Sequence, residues 1–469
     1  MGVNTSNSRS KKMARDFLVY SVGMIGSKLM TFLLLPLYTY FISDPSEYGY
    51  FDLCLTACFL LMPLVTLQMR DGAFRFLLET DNDDRRSHIV TYVNKTLFIT
   101  TMLTVIVAVG IYFVKPFAYL GYTVAMLVVM SFYDVYAQTV RGLGDNRSFV
   151  AVSLVASLGI VVFSVVFLVV GMGIEGLFLA NILARLLALV VIDLRLHALR
   201  RYFRPSLSDC REIGREILRF SLPMLPVGIC WWFIGFSNRS FITHYLSLHD
   251  SGIYGMASRL ATVVQAIATI FLQTWQENAI QQYHSADRNR FFSQVFNGYI
   301  LSFAAVIIIY GIGAKLVFPL LFNVTYAESV TYLYPLCVAT MLFALAGYFE
   351  IIYQCEKKTL RLVPPLIIAP FINVVLNCVL IKSLGINGAI ISYAATYAFI
   401  IAYRWVDVRK WVQVKLFKST LIPIGLMGVG ALPFVLDTNA WVDVAIIVMC
   451  LVALAATPQF RALLPSKLK

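Results

Sequence analysis

Residues 90–114 read VTYVNKTLFITTMLTVIVAVGIYFV, with Lys95 as the one charged side chain. A helix rises about 1.5 Å per residue, so this run is long enough to cross a hydrocarbon layer of about 30 Å. Working outward from it, runs of the same character occur at 17–42, 48–69, 117–139, 149–171, 174–193, 220–246, 252–275, 294–314, 330–354, 363–381, 386–403, 419–435 and 441–457. The pattern predicts an all-α, polytopic membrane protein with about fourteen transmembrane helices and short connections.

Composition supports this reading. The chain is 59% hydrophobic and 13% charged, whereas soluble domains carry about 25% charged residues. So much apolar surface has no place in a water-soluble core, and lipid must be the solvent for much of it. The net charge of +13 is read against a membrane face rather than nucleic acid. The eight cysteines fall mostly inside apolar runs, without CxxC or Cys/His spacing. They are read as small buried residues, and neither a metal nor a cofactor is expected.

The placement of basic residues tests the register of the runs. With residues 1–16 on the cytoplasmic side, the inner segments are 1–16, 70–89, 140–148, 194–219, 276–293, 355–362, 404–418 and 458–469, and they hold 30 of the 38 Lys and Arg. The outer connections hold Lys115, Lys315 and Lys382. One missed span would put basic loops on both faces, so the asymmetry favours the count and a cytoplasmic location for both termini. The largest inner segment, 194–219, is expected to include a basic amphipathic helix.

Two halves share local patterns. DPSEYGYFDL (44–53) matches HDSGIYGMASRL (249–260), with Tyr48 on Tyr254. DVYAQTVRG (134–142) matches EIIYQCEKK (350–358), with Asp134 on Glu350 and Gln138 on Gln354. GMGIEGLFLA (171–180) matches SLGINGAIIS (383–392), with Gly173 on Gly385. The offsets are similar and span an even number of helices, so both copies have the same orientation. The expected organisation is a tail at 1–16, a six-helix bundle at 17–193, a basic linker at 194–219 and a second six-helix bundle at 220–403. Residues 404–469 add two C-terminal helices.

Two pseudo-symmetric six-helix bundles plus two helices, with these Tyr-Gly and Gly-Ile-x-Gly connections, resemble the Wzx-type polysaccharide (O-antigen) flippases. These belong to the multidrug/oligosaccharidyl-lipid/polysaccharide exporter superfamily. The resemblance covers essentially the whole chain. It implies export of a polyprenyl-diphosphate-linked oligosaccharide across the bacterial cytoplasmic (inner) membrane, for O-antigen, capsule or exopolysaccharide. The implied partners are that lipid-linked oligosaccharide, the phospholipid bilayer, and polymerase and glycosyltransferase enzymes.

A charge inside the bilayer is costly and tends to face a cavity or a partner. Lys28, Lys95, Arg185, Arg239 and Arg259 lie within the runs. Lys28 sits midway along the first, on a face shared by Ser21, Thr31 and Tyr38. Arg259 adjoins a stripe of Ser258, Thr262, Gln265, Thr269 and Gln273 at helical spacing. Lys28, Arg239, Arg259, Gln265 and Gln273 are therefore candidate cavity residues for an anionic sugar-diphosphate headgroup. The competing reading of the stripe is helix-to-helix glue. Arg70 and Arg75 are candidates for a basic collar at the cytoplasmic mouth, against the alternative of ordinary inner-face charges. Asp134 and Glu350 are candidates for gating or coupling, against the alternative of helix-end ion pairs with Arg141 and Lys357, seven residues on.

There is no nucleotide-binding loop and no nucleophile with a base, so a transporter rather than an enzyme is expected. The competing functions are a multidrug/cation antiporter of the same superfamily, which needs a cavity carboxylate, and a membrane enzyme using lipid-linked sugars, which needs a large outer loop.

Overall fold

The computed structural model describes residues 34–196, 210–356, 358–436 and 438–457. These form helices and short connections, with no strand among them. In lipid, each backbone N–H must find its acceptor within the chain, and the helix provides that locally.

The first helix, α1, is described over 34–41. It is followed by α2 (Pro45–Thr66), α3 (Met69–Leu78), α4 (Asp83–Val114), α5 (Leu120–Gly142), α6 (Asn146–Val169), α7 (Gly173–Leu196), α8 (Arg211–Ser221) and α9 (Leu225–Tyr245). Then come α10 (Leu248–Gln282), α11 (Arg288–Leu321), α12 (Ser329–Cys355), α13 (Val363–Leu384), α14 (Ile386–Val408), α15 (Leu421–Gly430), α16 (Leu432–Val435) and α17 (Ala440–Ala455). Twelve stretches of the described chain are long and apolar enough to cross a membrane. α17 adds a shorter apolar helix of 16 residues, and α1 lies on the first run. A helix thus stands on each of the fourteen apolar runs.

The chain divides into two compact units. One comprises the described residues up to Ile42 and Tyr50–Phe236; the other comprises Ser43–Gly49 and the described residues from Ser237 on. The division falls inside α9, whereas the sequence reading divides the bundles at 194–219.

In the first unit, α5 packs on α3, α4 and α7, and α6 packs on α7. In the second, α12 packs on α10, α11 and α14, and α13 packs on α14. The same pattern is thus built twice. The matched glycines Gly173 and Gly385 both have left-handed backbones, with φ of 54° and 59°. A side chain is strained there, so both sharp entries into the last helix of a bundle select glycine.

One difference between the copies matters for the site. In the second unit α10 runs unbroken for 35 residues. In the first, the equivalent path breaks between α2 and α3, where Leu67 and Gln68 have φ of 48° and 54°. Left-handed non-glycine residues are strained. The break follows Pro63, which lies inside α2. It re-aims α3 across α5.

The C-terminal helices α15 and α17 pack on α11 and are clamped at two places. Near one end of α11, Asn297 donates to the Lys415 carbonyl at 2.8 Å and accepts from the Phe417 amide at 2.9 Å. Near the other, Lys315 donates to the carbonyls of Pro433 (2.7 Å) and Thr438 (3.0 Å) and lies 3.3 Å from Asp443, whose side chain is 1% exposed. Lys315, read from hydropathy as part of an outer connection, thus belongs to α11 and ties down its neighbours.

Candidate functional site

Lys28, the foremost cavity candidate, lies outside the described residues. The others fall into four groups, the last of them the polar stripe of α10.

The first is an ion-pair cluster in the first unit. The break before α3 carries Arg70 to α5, where one guanidinium nitrogen donates to both oxygens of Asp134, at 2.9 and 3.0 Å. Its Nε donates to Asp71 at 3.3 Å, and Gln68 holds the other Asp71 oxygen at 3.0 Å. Both ends are partly buried, with side-chain exposures of 32% for Arg70 and 21% for Asp134. Arg185 on α7 is close enough to interact electrostatically with Asp134, and it bonds the Asn181 carbonyl and side chain at 2.9 and 2.8 Å. Three helices therefore meet at Asp134. Arg75 does not join this cluster. It pairs with Glu79 at 3.1 Å and lies over the Phe220 ring.

The second is the matched region of the second unit, where the pairing is rewired. Glu350 faces Arg404 on α14 at 3.4 Å, and Arg404 also donates to the Ala346 carbonyl at 2.6 Å. Arg404 is 1% exposed, and its Nε and second Nη have no hydrogen-bond partner among the described residues. Hydropathy counts Arg404 as the first residue of an inner connection; α14 in fact continues to Val408, which places Arg404 inside the bundle. The α10–α12 contact is made by neutral groups: Gln276 donates to Gln354 at 2.6 Å, and the Trp275 indole donates to the Tyr348 carbonyl at 3.3 Å. Beyond the end of the α10 span, the Tyr283 hydroxyl donates to Glu356. Burial and that carboxylate push its phenol well above the ordinary range. The partner of Asp134 is thus Arg70 and that of Glu350 is Arg404. Arg141 instead lies over the rings of Phe74 and Phe149, and Lys357 is outside the described residues.

The third group is a buried amide cluster around α9. Asn238, Asn373 and Asn377 are all 0% exposed. Asn238 accepts from Asn377 at 2.9 Å and Asn373 at 3.2 Å, and donates to the Tyr254 hydroxyl at 3.1 Å. Asn377 also reaches Ser237 at 3.2 Å, and Asn373 reaches Thr396 at 3.5 Å. Arg239 stands beside it, 5.5 Å over the Tyr254 ring. Four helices, α9, α10, α13 and α14, contribute to one buried polar network, which holds their mutual register; within it the Asn377 side-chain oxygen has no hydrogen-bond partner among the described residues. The Asn373/Asn377 pair, four residues apart in the apolar run 363–381, carried a legible signal that the sequence reading passed over.

The polar stripe of α10 is half-buried from Ser258 to Gln273, while Ile253, Met256, Ala257, Leu260, Ala261, Val264 and Ala268 on its other side are buried. Two of its hydroxyls are committed locally: Thr262 donates to the Arg259 carbonyl at 2.5 Å and Thr269 to the Gln265 carbonyl at 2.8 Å. The longer side chains of the stripe are those of Arg259, Gln265 and Gln273, all half-buried.

Two bundles with internally repeated packing and twelve stretches long and apolar enough to cross a membrane define a polytopic all-α membrane protein. Solved structures share this fold. The lipid II flippase MurJ in an inward closed conformation matches with a TM-score of 0.71 at 10% identity, covering 94% of this chain and 98% of that one. A multidrug resistance MATE family transporter of the MOP superfamily, inward-facing, matches with a TM-score of 0.66 at 14% identity, covering 83% and 98%. An outward-facing MATE structure matches at 0.57 and 15% identity, covering 84% and 95%. No curated protein sequence matches the chain. Residues 13–276 match the sequence model of the polysaccharide biosynthesis protein family, and the chain belongs to that family.

Proposed function

We propose that this protein is a flippase that carries a polyprenyl-diphosphate-linked oligosaccharide from the inner to the outer leaflet of the bacterial cytoplasmic membrane by alternating access. Membership of the polysaccharide biosynthesis family supports a sugar-polymer role. The observation that supports the choice of substrate is the sign of the charges beside the polar cluster and the polar stripe of the second unit. Arg239 and Arg259 are basic, Lys28 is a third, and the buried polar cluster beside Arg239 is built from neutral amides and hydroxyls. A diphosphate headgroup is attracted to such a surface, and the hydroxyls of the sugar suit Gln265 and Gln273. The lipid tail stays in the bilayer.

In this reading the first bundle spans 17–193 and the second 220–403, joined by 194–219. Both termini are cytoplasmic, and Arg70 and Arg75 flank the cytoplasmic mouth. Asp134 and Glu350 act in gating: each holds the inner end of a bundle together through an ion pair that opening would have to break. The multidrug relatives in the fold suggest the second reading, a drug/cation antiporter. A cationic cargo calls for a carboxylate in the cavity; the amide cluster offers none among its described members.

Arg259→Ala and Lys28→Ala are expected to lower surface polysaccharide severalfold while membrane levels of the protein stay unchanged. Immunoblotting of both quantities at native expression is the test. Normal polysaccharide in both variants would overturn the cavity assignment. Drug efflux lost in the same variants would move the protein to the antiporter reading.

A further inference from the structure

We propose that α8 and the outer face of α4 form a binding site for one anionic phospholipid, separate from the translocation path. The headgroup phosphate lies on Arg211, Arg215 and Arg219, and an acyl chain lies along α4.

The three arginines are four residues apart and so form one stripe along α8. The opposite side of that helix buries Ile213, Gly214, Ile217 and Ser221. At Gly214 a Cβ would fall 2.1 Å from the Tyr92 ring, so glycine there lets α8 lie directly on α4. Beside this close approach lies an open-sided cavity of about 480 Å³ lined by Tyr92, Arg211, Arg215, Leu218 and Arg219.

The charge of this cavity is not neutralised by the described residues. None of the three guanidinium groups makes an ion pair or hydrogen bond within the described residues. The nearby Glu216 is taken by Arg85 at 3.3 Å. Three exposed guanidinium groups around a tyrosine suit a phosphate, which accepts forked hydrogen bonds from arginine.

The second half of the ligand is read from α4. Ile99, Leu103 and Ile106 lie seven, eleven and fourteen residues beyond Tyr92, on the same side of the helix. They are 60%, 59% and 67% exposed. An apolar track therefore continues from the basic cavity along a helix read as membrane-spanning. A free phosphate would use only the arginines. An amphiphile with an anionic head and an acyl chain uses both, and the bilayer supplies it. α8 also ends at the Leu222–Met224 turn that leads into α9, so lipid bound there would brace the start of the span that crosses into the second unit.

The test is lipid retention by the full-length protein in mixed micelles, read by native mass spectrometry. The probes are dioleoylphosphatidylglycerol and dioleoylphosphatidylcholine. The wild type is expected to retain phosphatidylglycerol preferentially. Each arginine near an anionic headgroup contributes about fivefold in affinity, so the R211Q/R215Q/R219Q variant should lose about a hundredfold. Its phosphatidylcholine binding should not change. The triple lysine variant should keep most of the preference, because it keeps the charge. If the glutamine variant does not fold, R215Q alone should lose about fivefold and serves the same purpose.

Equal phosphatidylglycerol retention by wild type and glutamine variants would overturn the site. Displacement of the lipid by millimolar inorganic phosphate would make it a free-anion site instead. Displacement by farnesyl diphosphate at concentrations below those of phosphatidylglycerol would make it a docking point for the carrier lipid. Either result refutes the phospholipid assignment.

Discussion

Breaking the Arg70–Asp134 pair should reveal a coupling of about 2 kcal/mol. The two charges meet through contacts of 2.9 and 3.0 Å and are partly shielded from solvent. Two unit charges about 4 Å apart attract by about 4 kcal/mol at an effective dielectric near 20. Desolvation of both groups opposes this, and hydrogen bonds between charged groups retain about 1.5–3 kcal/mol. Asp71 remains a partner for Arg70, and Arg185 remains near Asp134, so each single change should leave a partly compensated charge. Arg70→Gln and Asp134→Asn should each cost about 2 kcal/mol, and the double variant about 2 rather than 4. The assay is a thermal-unfolding cycle in detergent at fixed lipid and salt. Because the pair is partly shielded, the coupling should persist at high ionic strength, where exposed pairs are screened. If the pair forms in only one of two alternating states, its loss also shifts that equilibrium by about 30-fold. Cysteine accessibility beside Arg70 on α3 and beside Asp134 on α5 would report that shift. Additive single and double variants, with a coupling below about 0.5 kcal/mol, would refute the reasoning and leave Asp134 an ordinary helix-end carboxylate.

Two further predictions concern stability. Lys315→Met leaves Asp443 buried without its cation and two carbonyls without a donor. It should destabilise the protein by about 3–5 kcal/mol, with Lys315→Met/Asp443→Asn recovering part of the loss in the same thermal assay. Gly252→Ala would place a Cβ 1.8 Å from the Pro45 carbonyl oxygen, whereas a Cβ at Gly298 meets nothing within 4 Å. Gly252→Ala should therefore cost about 1–3 kcal/mol or more, and Gly298→Ala should be neutral or stabilising by up to about 1 kcal/mol. Size-exclusion profiles and melting temperatures of the two variants separate these outcomes.

Much of the fold was legible because a membrane helix is a local object. Its length and apolar character lie in one continuous run, and 90–114 announces α4 without reference to any other part of the chain. The repeat was legible for the same reason: Gly173 and Gly385 each answer to a backbone turn in their own neighbourhood. The candidate site was legible only as single charges. Sequence spacing offered Arg141 and Lys357 as partners for Asp134 and Glu350. The structure pairs Asp134 with Arg70, 64 positions away, and Glu350 with Arg404, 54 positions away. The Arg70 pairing depends on the backbone break at Leu67–Gln68, which redirects α3; hydropathy runs straight through that break and cannot register it.

The sequence by itself thus determined the helices, their repeated order and the sign of the charges placed within them. Those follow from the cost of putting backbone and charge into hydrocarbon, which each segment meets alone. Only tertiary structure decided which charges are spent on one another and which remain available. It commits Arg70 to Asp134 and buries Arg404 beside Glu350, while Arg211, Arg215 and Arg219 find no ion-pair partner among the described residues around their cavity. Such assignments are set by contacts between helices distant in the chain, where the nearest opposite charge in space is not the nearest in sequence.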